Sequence, residues 1–282
     1  MLFNLTPSPD LVQQAYDALL DAVCFGELTA GSRITQEQAA EKLAISRQPV
    51  LQAFARLKRE GFLVDAGRKG VQVSALDPGQ LTQLYQIRGE LDALAAGLAA
   101  QRVASGAVPV PDDALLRAGR QAEVASAKSP ANQSANQSAN QSANQVESLR
   151  DIVAADIGFH TTLYRLSGNP LIETTLALHW QHLRRVMGAA LQEQGARHGI
   201  WDEHTRIWRA VQQGDALLAA QLARKHTAQA AATLSARLQT ALAQQGAQGF
   251  AAASAAASAA AATKVRPQAP QSPTKPTPAY SG

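Results

Sequence analysis

The 282-residue chain has a single cysteine, Cys24, so it can form no internal disulfide. That fits a reducing compartment. Aromatic residues make up only 5% of the chain and alanine is abundant, a balance that suits helices better than sheets. Long hydrophobic runs are also missing. The nearest approach, "FAAASAAASAAAA", is too short and too weakly apolar to cross a bilayer. The opening stretch "MLFNLTPSPD" lacks a basic region followed by an apolar run, so no signal peptide is expected. A cytoplasmic protein without membrane contact is the expectation. What is present is 46% hydrophobic residues, enough for a sizeable core, and a length that accommodates two domains. The formal net charge is only +4, but it is unevenly placed. Between residues 42 and 69, Lys42, Arg47, Arg56, Lys58, Arg59, Arg68 and Lys69 face only Glu60 and Asp65. Basic charge gathered on one short segment suits a phosphate-binding surface.

Helical spacing of apolar residues runs through residues 10–25, and two glycines in "GELTAGSRI" interrupt it. Thr35 and Gln38 have the spacing of a capping box for a short helix reaching Leu43. Ser46 can cap a third helix, with Pro49 tolerated in its first turn and Gly61 as its stop. Two short apolar segments, "FLV" and "VQVSAL", flank "DAGRKG" and predict a hairpin with a basic tip. A long helix is expected over residues 80–104, with another from near Pro111. The repeat "SPANQSANQSANQSANQ", residues 129–145, has no large apolar residue and is expected to be a disordered insertion. Helical periods return over 146–166, 170–194, 200–213 and 215 to about 243. Their short connections imply antiparallel neighbours in a bundle. The expected domains are residues 1–76, a three-helix module with a hairpin; residues 77–245, an all-helical bundle; and residues 246–282, a disordered Ala/Pro-rich tail. The fold class is mainly α, with six or seven helices in the bundle.

Three helices and a basic-tipped hairpin describe a winged helix-turn-helix. The segments "GELTAGSRI", "LAISRQPV" and "LKREGFLV", in that order, resemble the DNA-binding domain of the GntR family of bacterial transcription regulators. The resemblance covers about residues 10–75. It implies double-stranded DNA as a partner, read as a near-palindromic operator by a homodimer. Arg47 would enter the major groove at the start of the recognition helix, where an arginine can reach guanine O6 and N7. Ser46, Gln48, Gln52 and Arg56 are further candidates for base or phosphate contacts, and Arg68, Lys69 and Gly70 form the wing tip. The family usually reads "SRTPVREAL". This chain has Leu51 and Gln52 after the valine and so lacks the family's second arginine.

The stretch "DIGFH" places Asp156 and His160 four residues apart, on one helical stripe. By itself this fits either a surface pair or half of a metal site. His204 and His226 lie on two consecutive helices, ten residues before and eleven after the Gly214–Asp215 turn. At 1.5 Å per residue each is about 15 Å from that turn, so the two can face each other. Three nitrogens and one carboxylate suit a divalent transition metal, zinc first, with nickel or manganese as alternatives. "DIGFH", "SGNPLIE", "DEHTRIWRAVQQGD" and His226 also resemble the FCD ligand-binding domain of the FadR-like GntR subfamily. That resemblance implies one metal on Asp156, His160, His204 and His226. Relatives bind small carboxylates such as sugar or hydroxy acids, while some bind acyl-CoA and lack the metal. The intact tetrad points to a small organic acid. Arg88, which matches an arginine on the first helix of such domains, and Arg184 or Arg185 are candidates to pair with its carboxylate. The expected function is a DNA-binding regulator, a repressor by this reading, modulated by a small organic acid near the metal. The alternatives are a metal-dependent hydrolase using Glu203 beside the Asp/His₃ set, or a direct sensor of the metal itself.

Overall fold

The computed structural model describes residues 10–67, 70–128, 139–194 and 199–264. Asp10 caps α1 (Leu11–Cys24) by accepting a hydrogen bond from Gln13 N at 3.0 Å, and the helix buries Ala15, Leu19, Leu20 and Val23. The capping box is present at α2 (Gln36–Leu43): Thr35 Oγ1 accepts from Gln38 N, and Gln38 Oε1 accepts from Thr35 N. Helix α3 (Arg47–Arg59) buries Val50, Ala53, Phe54 and Leu57. Gly61, at φ +83°, then turns the chain where a side chain would be strained. Strands β1 (Arg33–Ile34), β2 (Leu63–Asp65) and β3 (Val71–Val73) form an antiparallel sheet in the order β1-β3-β2. Ile34 pairs with Val71, and Val64 with Gln72. Two residues are too few for an alternating pattern, which is why β1 is invisible in the sequence. It forms because β3 offers a free edge. Three helices and this sheet make a winged helix-turn-helix.

The remainder is all helix: α4 (Pro78–Ala104), α5 (Ala114–Lys128), α6 (Ala139–Ser167), α7 (Pro170–Gln194), α8 (Ile200–Gln212) and α9 (Ala216–Lys264). Phe159, Leu163, Trp201, Trp208 and Val211 form its core against alanines of α4 and α9, among them Ala96, Ala99, Ala219 and Ala223. Gly214, at φ +73°, makes the tight turn from α8 into α9, and Asp215 caps α9 by accepting from Leu218 N at 2.9 Å.

Two segments differ from expectation. Helix α6 starts at Ala139, inside the repeat expected to be disordered, because the Ala, Asn, Gln and Ser there carry no helix breaker and lead straight into the packed part of α6. Residues 129–138 of the repeat lie outside the described residues. Helix α9 runs to Lys264, well into the expected tail, along an alanine-rich stretch of high helix propensity. Residues 265–282 lie outside the described residues.

By contacts the chain divides into Met1–Ala241 and Leu242–Gly282, with no break near residue 76. The reason is the seam between α1 and α7. A Cβ on Gly188 would lie 2.0 Å from the Cys24 carbonyl oxygen, so glycine lets the two helices touch. Arg184 pairs with Asp21, Arg185 donates to the Ser74 carbonyl, and Phe62 stacks on His182 at 4.4 Å.

Candidate functional site

Four buried side chains from three helices converge in the bundle. Asp156 and His160 come from α6, His204 from α8 and His226 from α9, with one ligand atom of each lying within 4.8 Å of the others. His204 Nε2 lies 3.2 Å from His226 Nε2 and 3.5 Å from Asp156 Oδ1. Glu203 Oε2 sits 2.8 Å from His226 Nδ1. The carboxylate accepts a hydrogen bond from the Nδ1–H, so the Nε2 lone pair of His226 faces the cluster. Neither ring nitrogen of His160 makes a hydrogen bond, although the residue is 1% exposed. Its Nδ1 has only an ionic contact with Asp92 Oδ2 at 3.3 Å. Burial, reinforced by the Arg88 guanidinium, pushes the His160 pKa below its usual value, which favours the neutral, ligating form.

Asp92 on α4 was missed by sequence reasoning, yet it joins three helices. Its carboxylate accepts from Tyr164 Oη at 2.5 Å, Thr227 Oγ1 at 3.0 Å and Arg88 Nε at 3.2 Å. Burial opposes its ionisation, but His160, Arg88 and these hydrogen bonds hold its pKa well below the carboxylate range. Arg88 also faces Asp156 at 3.8 Å and lies over the Trp180 ring at 4.3 Å. Around the cluster, Arg88 pairs with Asp92 and faces Asp156, while Glu203 pairs with His226, so three carboxylates gather at a largely buried site. Carboxylates crowded out of water favour a cation among them. The His160 nitrogens without a hydrogen bond, the His₃Asp donor set and these carboxylates fit a divalent metal.

A largely enclosed cavity of about 50 Å³ adjoins the cluster, lined by Arg88, Asp156 and His226 and by apolar groups including Met187, Leu191 and Trp201. Arg237 of α9, also missed in the sequence, completes its polar lining. Burial pushes the phenol of Tyr85, another lining residue, up to about 12.

Arg184 and Arg185 are not at the cavity, contrary to expectation. They lie on the side of α7 that meets the N-terminal module, where Asp21 and the Ser74 carbonyl hold them. On the N-terminal module, Ser46, Arg47, Gln48 and Gln52 are exposed along the first half of α3. The Arg47 side chain is 68% exposed and pairs with Glu37 at 3.1 Å. Arg56 does not join that face. It donates to Glu60 at 3.0 Å and Gln13 at 2.7 Å and lies over the Tyr16 ring. Arg68 and Lys69 lie outside the described residues, and Gly70 stands at φ +124° where β3 begins.

A winged helix-turn-helix joined to an all-helical domain with a buried polar centre defines a class of transcription regulators. The comparisons agree. Residues 11–73 match the gntR family of bacterial regulatory proteins, and residues 83–229, more than half the chain, match the FCD domain. The chain belongs to the gntR family and carries an FCD domain. It is 34% identical over 98 residues to the Nta operon transcriptional regulator of Aminobacter aminovorans, a match covering 35% of this chain and 47% of that protein. It is 28% identical over 205 residues to an HTH-type transcriptional regulator in an unstable DNA locus of Streptomyces ambofaciens, covering 71% and 75%. Among solved structures, a GntR regulator from Rhodococcus aligns with a TM-score of 0.58 at 22% identity, covering 79% of this chain and 96% of that one. E. coli McbR/YncC aligns at 0.56 and 19%, covering 81% and 98%. These two establish the fold. The family and its members are regulators of transcription, not enzymes, which removes the hydrolase alternative. Among the described residues no helix is long and apolar enough to cross a membrane.

Proposed function

We propose that the chain is a dimeric transcriptional repressor whose grip on a near-palindromic operator responds to a small organic acid bound beside a divalent metal. The observation that carries this reading is the convergence of Asp156, His160, His204 and His226 next to a cavity that also holds Arg88. Those four residues would hold the metal, zinc first. When bound, it supplies a Lewis-acidic docking point for a carboxylate. Arg88 orients the acid by charge, and the apolar walls exclude water. The cavity has room for only about four waters, so an acid must widen it. That gives the ligand unequal affinity for two states of the domain, which a switch requires.

On the DNA side, Arg47 at the start of α3 reads base edges, and Ser46, Gln48 and Gln52 support it. Ser46 makes no side-chain capping bond, so the Arg47 and Gln48 N–H groups at the start of α3 favour a phosphate. Arg68, Lys69 and Gly70 would serve as the wing. Arg47→Ala should cost about 1–3 kcal/mol of specific binding and relax base preference. The check is a titration of specific and random duplexes at one salt concentration. Equal affinity of the unaltered chain for both duplexes would contradict the regulator reading. Release of operator by chelator alone, with no response to any organic acid, would favour a direct metal sensor instead.

A further inference from the structure

A second, solvent-open cleft of about 510 Å³ lies between α1, α6 and α7. It joins Asp21 and Phe25 of the N-terminal module to Arg150, Trp180, Gln181 and Arg184 of the helical domain. Arg150 and Arg184 both pair with Asp21, Arg150 at 2.5 Å, and Arg150 also meets Glu27 at 2.9 Å. Both guanidinium carbons lie near the Phe25 ring, at 5.2 and 5.3 Å from its centre. Within the lining, Arg150 and Arg184 share the single carboxylate of Asp21, and Glu27 meets Arg150 from outside it. Two buried donors there, Arg150 Nε and Trp180 Nε1, make no hydrogen bond. A buried donor without an acceptor is costly, so a small side-chain shift that brings either N–H to an acceptor in the cleft is favoured. The volume falls in the range of small-molecule sites, and Phe25 and Ile157 give it apolar walls.

We propose that this cleft binds a small organic monoanion, a carboxylate on an aromatic or branched apolar body. Its carboxylate pairs with Arg150 and Arg184 in place of Asp21, and its apolar part rests on Phe25. Asp21 is then a built-in competitor, and a seated anion releases the Asp21 ties of α1 to α6 and α7 while the Gly188 contact remains. The site is distinct from the cavity beside the histidines.

The test is a calorimetric titration of the full chain with benzoate, repeated with inorganic phosphate, which has charge but no apolar body. Saturable benzoate binding is expected, with phosphate weaker. Arg150→Gln and Arg184→Gln should each weaken benzoate by at least about tenfold. Asp21→Asn should tighten it by roughly threefold to tenfold, since the competing charge is gone. His204→Ala should leave it unchanged. In parallel, the Trp180 indole N–H resonance, identified by its loss in Trp180→Phe, should shift on titration. Absence of saturable binding to both the unaltered chain and Asp21→Asn overturns the proposal. So does weaker binding in folded Asp21→Asn, binding that survives both arginine changes but not His204→Ala, or phosphate binding without benzoate binding.

Discussion

Glu203 precedes His204 in the chain but serves His226, across the α8–α9 turn, at 2.8 Å. One residue along a helix is a rotation of about 100°, so Glu203 cannot share the direction of His204. It meets the facing helix instead. Replacing it by Gln keeps the shape and removes the charge that polarises the imidazole. Glu203→Gln should weaken metal binding by about 10–100-fold, the usual effect of losing a ligand's supporting carboxylate. Competition against a chromogenic chelator measures it, and unchanged affinity would mean that His226 is oriented by packing alone. At this scale the sequence was partly legible. Asp156 and His160 advertise themselves by a four-residue spacing, and His204 and His226 by equal distances from a glycine turn. Asp92 does not, because its partners Tyr164 and Thr227 lie 72 and 135 residues away. The partners of Arg56, Arg184 and Arg185 were equally hidden, apart from Glu60 four residues after Arg56. Gln13, Asp21 and Ser74 come from distant elements that no spacing reveals.

Helix α7 has two jobs on two faces. Met187 and Leu191 line the cavity beside the histidines, while Arg184 and Gly188 meet α1. On the proposed reading, a ligand that widens the cavity would push on the helix that packs against α1. The contact at Gly188 is backbone against backbone, so it has little room to yield. Gly188→Ala should destabilise the protein by about 1–3 kcal/mol, as overpacking does, despite alanine's better helix propensity. Urea denaturation gives the value, and a stabilised variant would mean that α1 does not sit on α7 in solution. Helical periods were readable from the sequence over most of α4 to α9. The docking of α1 on α7 was not, since a glycine within a helix reads only as a weak spot. The helical start of α6 within the repeat was hidden too, because a segment without large apolar residues signals no packing.

For the molecule as a whole, the proposed metal would link the helices of the bundle through folding. A divalent ion bound only by the native state stabilises it by mass action and ties together α6, α8 and α9. Without metal, His160 is a liability. Its folded pKa lies below the usual 6.5, so as pH falls below 6.5 the unfolded chain takes up a proton that the folded chain refuses. The metal-free protein should therefore lose melting temperature as pH drops from 7 toward 5, and His160→Gln should flatten that slope. A steeper slope in the variant would contradict the burial argument.

The most direct measurement is the metal content of the purified chain and its variants. Protein prepared without chelator and incubated with zinc, nickel or manganese should retain one of these stoichiometrically after gel filtration. His204→Ala and Asp156→Ala should lose it, and His179→Ala should keep it. A wild-type chain that holds no stoichiometric metal would contradict the account. So would a metal lost in His179→Ala but retained in His204→Ala.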